Sequence, residues 1–314
     1  MLARLLRVSY LLQLLSGALL GLYLALGWGQ GQPLGLLLVP ASAVALPVLL
    51  QCAVISITML RSFRAGSLAH WWRAWRGECR AAMLIFMLRQ PWPKQQRGVL
   101  LPPVTAPVEP DRPRLPVLLV HGYLCNHRVW DDVVAALSAA GHPVLAIDLE
   151  PLFGSIDDYA PVIERGVNQL LQASHADQLV LLGHSMGGLA IRAWRCAYGS
   201  AAESRVARII TLGTPHQGTR LAKGSVTRNG AQMVWQSPWL QALAASEGAQ
   251  TRRLMHLALT KQDNIVFPQT QQVLADTQVT EFFAMGHLQM CLHPQVIEWL
   301  LQTMDSETNP GPAG

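Results

Sequence analysis

Residues 179–187 read LVLLGHSMG, and this stretch decides the fold that we expect. The apolar run Leu179–Leu182 predicts a short buried strand, and apolar residues recur at helical spacing after Gly187. Ser185 lies between the two patterns, with a glycine two positions before it and another two positions after it. This arrangement is typical of a nucleophile elbow, in which the glycines remove side chains that would collide with the strand and the helix. We therefore expect Ser185 to be a catalytic nucleophile.

The sequence around this motif predicts a single α/β domain over residues 116–304. Short apolar runs alternate with helical patterns, which is typical of a mostly parallel sheet with helices on both faces. We expect strands near Val117–Val120, Val144–Ile147, Leu179–Leu182, Arg208–Leu212, Met255–Thr260 and Val279–Phe283. Between the fourth and fifth strands, residues 216–253 predict a small cap.

A histidine must accept the proton of the serine hydroxyl, and a carboxylate must orient that histidine. In hydrolases of this architecture both residues follow the serine in the chain. His287 comes just after the last predicted strand, whereas the competing histidines follow the wrong strand, lie within a strand or open the final helix (His216, His256 and His293). We expect His287 to be the base. His184, next to the nucleophile, should point away from it and be structural.

The orienting acid is expected in the loop after the fifth predicted strand. Asp263 lies there in a polar stretch, Lys261-Gln262-Asp263-Asn264, at the same sheet edge as His287. Asp276 and Glu281 are the alternatives, and both are expected to be solvated.

Two backbone N–H groups should stabilise the oxyanion of the tetrahedral intermediate. Met186, immediately after the nucleophile, is expected to supply one of them. The other is expected from Tyr123 in the loop after the first strand, where Gly122 permits a close approach. His121 in the same loop is expected to be a structural hydrogen-bonding residue.

The motifs LLVHGYLCN, GHSMGGL, LGTPHQGT, DNIVFP and MGHLQM occur in this order. Together they make residues 116–302 similar to bacterial lipases of the α/β-hydrolase superfamily, those related to triacylglycerol lipases. The resemblance implies a lipase-like core, a triad of Ser185, Asp263 and His287, oxyanion donors at Tyr123 and Met186, and carboxylic-ester hydrolysis. An acyltransferase or a thioesterase would use the same triad and acyl-enzyme, and either is the alternative function. A non-catalytic membrane adaptor is a third hypothesis.

Two uncharged runs, residues 8–28 and 34–60, are each long enough to cross a bilayer as a helix. A cleaved signal peptide is the alternative for the first run, although that run exceeds the usual 7 to 15 apolar residues and a second run follows at once. We expect residues 1–64 to form a transmembrane hairpin, with Pro40 and Pro47 leaving a re-entrant second span as an alternative. Arginines flank both outer ends and none lies between the spans, so the catalytic domain should face the cytoplasm at a bacterial inner membrane.

The segments beside the spans differ in composition. Residues 65–90 mix three tryptophans with arginines, which predicts a helix in the headgroup zone; a helix that caps the domain is the alternative. Residues 91–115 are rich in proline and predict an extended linker. Residues 305–314 predict a disordered tail.

Charge and cysteine content exclude several other classes. The 314-residue chain carries a net charge of +5, but residues 1–97 contribute +9 and residues 98–314 contribute −4. The basic character therefore belongs to the segment near the membrane, which argues against a nucleic-acid partner. Five widely spaced cysteines without a CxxC pair argue against a disulfide framework and a zinc site. We expect no metal and no cofactor.

The expected partners are the bilayer and an acyl-ester or membrane-lipid substrate. Within the cap, Met233, Trp235 and Trp239 are apolar and are candidates for lining an acyl pocket over the triad, together with Leu240 and Leu243. Simple packing of the cap is the alternative. The oligomeric state is not predicted.

Overall fold

The computed structural model describes residues 1–28, 33–63, 66–94, 98–102 and 114–305. Ten α-helices lie within these ranges: α1 (Leu2–Trp28), α2 (Leu38–Met59), α3 (Leu68–Ala82), α4 (Asp131–Ala139), α5 (Ala160–Ser174), α6 (Met186–Glu203), α7 (Arg228–Gln232), α8 (Pro238–Ala245), α9 (Ala249–Arg253) and α10 (Pro294–Asp305). The six strands are β1 (Val117–Val120), β2 (Val144–Ile147), β3 (Leu179–His184), β4 (Val206–Leu212), β5 (Met255–Thr260) and β6 (Gln278–Phe282).

The six strands form one fully parallel sheet in the order β2-β1-β3-β4-β5-β6. Strands β1, β3 and β4 are buried on both faces, which explains why they are continuous apolar runs instead of alternating patterns. All six predicted strands are confirmed. Because the strands are parallel, their carboxyl ends share one edge, and the loops after β1, β3, β5 and β6 meet there.

Two apolar clusters cover the two faces of the sheet. One of them is packed by α5 and α6, with Ile163 and Trp194 fully buried. The other contains Trp130 and also takes in residues from the N-terminal third of the chain, including Ile55 and Met59 of α2 and much of α3. The N-terminal segment and the α/β domain therefore share one continuous core.

Helices α1 and α2 pack tightly against each other as a hairpin. A Cβ added at Gly17 would lie 2.4 Å from the carbonyl oxygen of Ser42, and one added at Gly21 would lie 2.3 Å from that of Leu38. This glycine pair, four residues apart, allows the close helix approach that is common between membrane helices. Helix α2 continues through Pro47 without a break, and whether it crosses the membrane fully stays a prediction.

The hairpin helices are long and apolar enough to cross a membrane over Leu2–Gly27 (26 residues) and Gly35–Met59 (25 residues). Only 17% and 11% of their most apolar windows are buried, which distinguishes them from core helices of a soluble protein. The first helix begins six residues before the predicted run of 8–28 and so includes Arg4 and Arg7.

Helix α3 differs from the helix predicted over residues 65–90. It ends at Ala82 and is followed by a wider π-helical segment, Met83–Arg89. Its tryptophans do not all face outward: Trp71 donates to the carbonyl of Met59 (2.9 Å) and Trp75 donates to the hydroxyl of Ser56 (2.9 Å). One face of α3 is therefore buried against the rest of the protein, as the alternative of a domain-capping helix predicts. That its exposed face lies among lipid headgroups stays a prediction.

The predicted linker of residues 91–115 is only partly described. Within it, Leu100 exchanges two backbone hydrogen bonds with Val144 and so lies against the edge strand β2 (2.8 and 2.9 Å). The predicted tail of residues 305–314 lies, after Asp305, outside the described residues.

Candidate active site

Ser185 occupies a strained turn between β3 and α6. Its backbone has φ 54° and ψ −127°, a region that residues other than glycine rarely adopt. Close packing explains the flanking glycines: a Cβ at Gly187 would lie 2.1 Å from the carbonyl oxygen of Val120, and one at Gly183 would lie 2.6 Å from the amide of Gly188. The turn has the geometry expected of a nucleophile elbow.

The loop after β1 lies directly against Ser185. A Cβ at Gly122 would be 2.7 Å from the Cβ of Ser185, so a glycine is required for this approach. The amide of Cys125 donates to the carbonyl of Gly122 (3.3 Å), closing a turn with Leu124 at φ 55°. The N–H of Tyr123 takes no part in closing this turn. Met186 is the first residue of α6, where an N–H has no acceptor within the helix.

His121 supports this loop. Its Nε2 accepts the amide of Leu149 (3.0 Å), so its Nδ1 carries the proton and donates to the carbonyl of Gly122 (2.9 Å). Burial lowers the pKa of His121, which keeps the imidazole neutral. These contacts match the structural role expected for it.

Asp263 and His287 form a buried pair at the same sheet edge. The Oδ2 of Asp263 accepts from the Nδ1 of His287 at 2.8 Å. The other oxygen, Oδ1, accepts the amides of Ile265 (2.8 Å) and Val266 (2.7 Å), which fixes the carboxylate in its loop. The exposed fractions are 2% for Asp263 and 5% for His287, so little water competes for the pair.

The electrostatic surroundings favour a charged His287. Burial alone lowers the pKa of His287, but the charge of Asp263, their hydrogen bond and the charge of Glu78 outweigh it, and the pKa is raised above its ordinary value. Because Nδ1 donates to Asp263, the lone pair of the neutral ring lies on Nε2, and that nitrogen is the one that can accept a proton.

Two residues near Ser185, Gly213 and His184, lie close to His287. The amide of Ser185 donates to the carbonyl of Leu212 (2.9 Å), and the next residue, Gly213, is so close to the pair that a Cβ there would lie 3.0 Å from the Nδ1 of His287. The ring of His184 lies 4.6 Å from that of His287, and its Nε2 is 3.2 Å from the His287 carbonyl. His184 therefore supports the loop that carries His287, which agrees with the structural role expected for it. That its ring points away from Ser185 stays a prediction.

Comparison with known proteins gives the family. Residues 117–301, more than half of the chain, match the model of the Alpha/beta hydrolase family. The chain belongs to the alpha/beta hydrolase family. A triacylglycerol lipase from Pseudarthrobacter phenanthrenivorans is 33% identical over 121 residues, which cover 35% of this chain and 35% of the lipase. A triacylglycerol lipase from Burkholderia plantarii is also 33% identical over 121 residues, covering 35% of this chain and 32% of that protein. The chain thus spans about a third of the length of these curated relatives.

Solved structures support the same fold. A mature lipase from Bacillus licheniformis superimposes with a TM-score of 0.54 at 17% identity, covering 66% of this chain and 97% of the lipase. Lipase B from Aspergillus fumigatus gives a TM-score of 0.55 at 14% identity, covering 83% of this chain and 76% of that lipase. At these identities the likeness concerns the alpha/beta hydrolase fold alone.

The alternative acids of this alpha/beta hydrolase lie away from His287. Glu281 pairs with Lys261 (3.1 Å) with its side chain 37% exposed, and Asp276 is exposed in the turn before β6. Both are solvated, as expected. Of the competing histidines, His216 is buried in the loop after β4, where its Nε2 is 3.0 Å from the hydroxyl of Thr211.

The cap residues predicted to bind substrate have structural contacts of their own. Met233 is buried in the cluster packed by α5 and α6, and Trp239 packs against that cluster while its indole N–H donates to Asp157 (3.0 and 3.1 Å). The guanidinium carbon of Arg220 lies over the indole of Trp235, 5.9 Å from the centre of that ring. A role of these three residues in acyl binding stays a prediction.

Two residues beside His287 were not anticipated from the sequence. The Oδ1 of Asn264 accepts the amide of His287 (3.2 Å), and Glu78 of α3 accepts the amides of Leu288 (3.0 Å) and Gln289 (2.9 Å). One signal was available for Glu78: it is the only acidic residue among the first 97.

Proposed function

We propose that this alpha/beta hydrolase is a membrane-anchored serine hydrolase that cleaves carboxylic esters of fatty acids through an acyl-enzyme on Ser185. The observation that carries the proposal is the buried 2.8 Å contact between Asp263 and His287 at the sheet edge that also presents Ser185 in a strained elbow. The names of the curated relatives, triacylglycerol lipases, agree with this substrate class.

In the proposed mechanism His287 takes the proton of Ser185 as the hydroxyl oxygen attacks the ester carbonyl. Asp263 holds the imidazole in the required tautomer and stabilises its positive charge. The N–H groups of Tyr123 and Met186 bind the oxyanion, each contributing roughly 3 kcal/mol to the stability of the transition state. His287 then protonates the leaving alcohol. In the second half of the reaction water attacks the acyl-enzyme, His287 takes the proton of that water, and it returns the proton to the oxygen of Ser185 as the fatty acid leaves.

Exposed apolar side chains around the oxyanion loop favour a lipid substrate. Leu124, Phe153 and Val226 are 38%, 37% and 99% exposed. The rings of Tyr123 and Phe153 are 6.0 Å apart, and the hydroxyl of Tyr123 is 3.4 Å from that of Thr227, next to Val226. Together these side chains form an apolar rim beside the site, which suits an acyl chain or a lipid surface.

The attachment of the hairpin supports an active site that faces the bilayer. At one outer end, the amino group of Met1 pairs with Glu150 (2.7 Å), just after β2. At the other end, Thr58 accepts a hydrogen bond from Asn264 (3.1 Å), just after β5. Both ends therefore meet the sheet edge that carries the triad. An acyl ester would reach Ser185 from the membrane surface over a short path.

Ester hydrolysis by the purified full-length chain tests the proposal. We expect p-nitrophenyl esters to be cleaved and Ser185→Ala to reduce the rate by several orders of magnitude with thermal unfolding unchanged, because triad members act as one unit. Substantial activity in Ser185→Ala would contradict the assignment. Product analysis with an added alcohol measures whether water or the alcohol accepts the acyl group, which distinguishes a hydrolase from an acyltransferase.

The proposed orientation, with the catalytic domain on the cytoplasmic face, is tested by cysteine labelling in intact cells. Each variant carries one introduced cysteine together with Cys196→Ser, which removes the exposed native thiol, while the four remaining cysteines are buried or half-buried. A cysteine at Gln30, between the spans, should react with an impermeant maleimide, and one at Gly314 should not. Labelling at Gly314 but not at Gln30 would show that the catalytic domain faces outward and would contradict the proposed orientation.

A further inference from the structure

Glu78 is a buried acid from the membrane-proximal helix that contacts the loop of the catalytic histidine. Its exposed fraction is 3%, although the rest of α3 is rich in exposed arginines. One carboxylate oxygen accepts the amide of Leu288 (3.0 Å) and the other accepts the amide of Gln289 (2.9 Å). An ionised carboxylate satisfies both N–H groups at once, whereas a protonated one has a donor on one of its two oxygens.

The packing around Glu78 leaves little freedom to the loop. A Cβ added at Gly286 would lie 2.5 Å from a carboxylate oxygen of Glu78, and one added at Gly77 would lie 2.2 Å from the side chain of Gln289. Glycines on both segments therefore permit the contact. Because Gly286 and Leu288 flank His287 in the chain, the position of the imidazole depends on where α3 lies.

A second contact joins the same loop to α2. The side chain of Asn264 accepts the amide of His287 (3.2 Å) with its oxygen and donates to the hydroxyl of Thr58 (3.1 Å) with its nitrogen. Thr58 belongs to the last turn of the second candidate span. The backbone of the base is thus tied on two sides to residues of the N-terminal segment.

The charge of Glu78 also acts on the imidazole. The groups that face His287 are the carboxylate of Asp263 from the β5 loop, the carboxylate of Glu78 from α3 and the neutral imidazole of His184 from β3. Burial raises the pKa of Glu78, while the two amides and His287 favour its charged form. A charged Glu78 stabilises the protonated His287 that forms during acyl transfer.

We propose that Glu78 is a positioning residue for His287, so that the membrane-proximal helix forms part of the active site of this enzyme. The proposal rests on the proposed ester hydrolysis and adds a dependence of that reaction on the N-terminal segment. A hydrolase domain displaced from α3 would keep Ser185 and Asp263 but lose the support of its base.

The test compares Glu78→Gln with Glu281→Gln in the full-length chain. Both remove one negative charge, but Glu281 is solvated on β6 and does not contact the histidine loop. We expect Glu78→Gln to lower kcat about 10-fold or more, since small displacements of catalytic groups are costly. The acid limb of its pH profile should also move to lower pH, because one charge that favours protonated His287 is gone. Glu281→Gln should change neither quantity.

Glu78→Asp serves if Glu78→Gln does not fold. The shorter side chain keeps the charge but draws the carboxylate back from the amides of Leu288 and Gln289, and we expect kcat to fall with KM nearly unchanged. Wild-type kcat and an unmoved acid limb in Glu78→Gln would overturn the proposal, as would wild-type kcat in Glu78→Asp where that variant replaces it. Absence of ester hydrolysis in the wild-type chain would instead contradict the proposed function.

Discussion

Replacing Gly122 by alanine should disable the oxyanion site without removing any triad residue. The added Cβ would lie 2.7 Å from the Cβ of Ser185, whereas apolar carbons are in ordinary contact at about 3.5 to 4.0 Å. The loop must therefore withdraw by roughly 1 Å, and it carries the N–H of Tyr123 with it. A misplacement of this size costs about 100-fold in rate. That factor corresponds to about 2.7 kcal/mol, close to the loss of one oxyanion donor.

The assay is the steady-state hydrolysis of a p-nitrophenyl ester by the detergent-purified chain, with thermal unfolding as the check on folding. Gly248→Ala is the matched control, because a Cβ there meets no atom within 4 Å and the residue has an ordinary φ of −84°. We expect kcat to fall about 100-fold in Gly122→Ala and to stay unchanged in the control. A folded Gly122→Ala variant that turns over at the wild-type rate would refute the assignment of this loop to the oxyanion site.

Three further predictions concern the acid, the base and the core. Asp263→Asn should lower kcat by about 10⁴-fold because the tautomer of His287 is lost, and Asp276→Asn should be nearly normal; equal losses would mean that the acid is misassigned. The rate should fall as the pH drops, because protonated His287 cannot accept a proton, with a midpoint above the ordinary imidazole value of 6.5; a midpoint clearly below it would contradict the raised pKa. Glu247→Gln should lower the free energy of unfolding by about 3 kcal/mol or more, because the buried Arg192, whose Nε lies 2.6 Å from the Oε1 of Glu247, loses its counter-charge; unchanged thermal unfolding would contradict this prediction.

The elbow and the sheet were predictable because their signals are local. A strand buried on both faces is a short apolar run, and the glycines around Ser185 occupy fixed offsets that steric contact with β1 and α6 requires. Asp263 and His287 were predictable from chain order, since parallel strands bring consecutive loops to one edge.

The support of His287 was not predictable, because it depends on contacts between distant parts of the chain. Glu78 and Leu288 are 210 residues apart, and an acid in an arginine-rich helix is typical of a solvated position. Trp71 and Trp75 similarly indicated headgroup contacts, but their indole N–H groups find acceptors on α2. Composition describes the whole helix, whereas the buried face is set by what packs against it.

The most direct test of the central claim is to identify the residue that carries the acyl group during turnover. The full-length chain is mixed with a p-nitrophenyl ester, quenched in acid within the first turnovers, digested and analysed by peptide mass spectrometry. The account predicts the mass of one acyl group on the peptide that contains Ser185, and its accumulation should be lost in His287→Ala. Acylation of a different residue, or full turnover with Ser185 replaced by alanine, would contradict it.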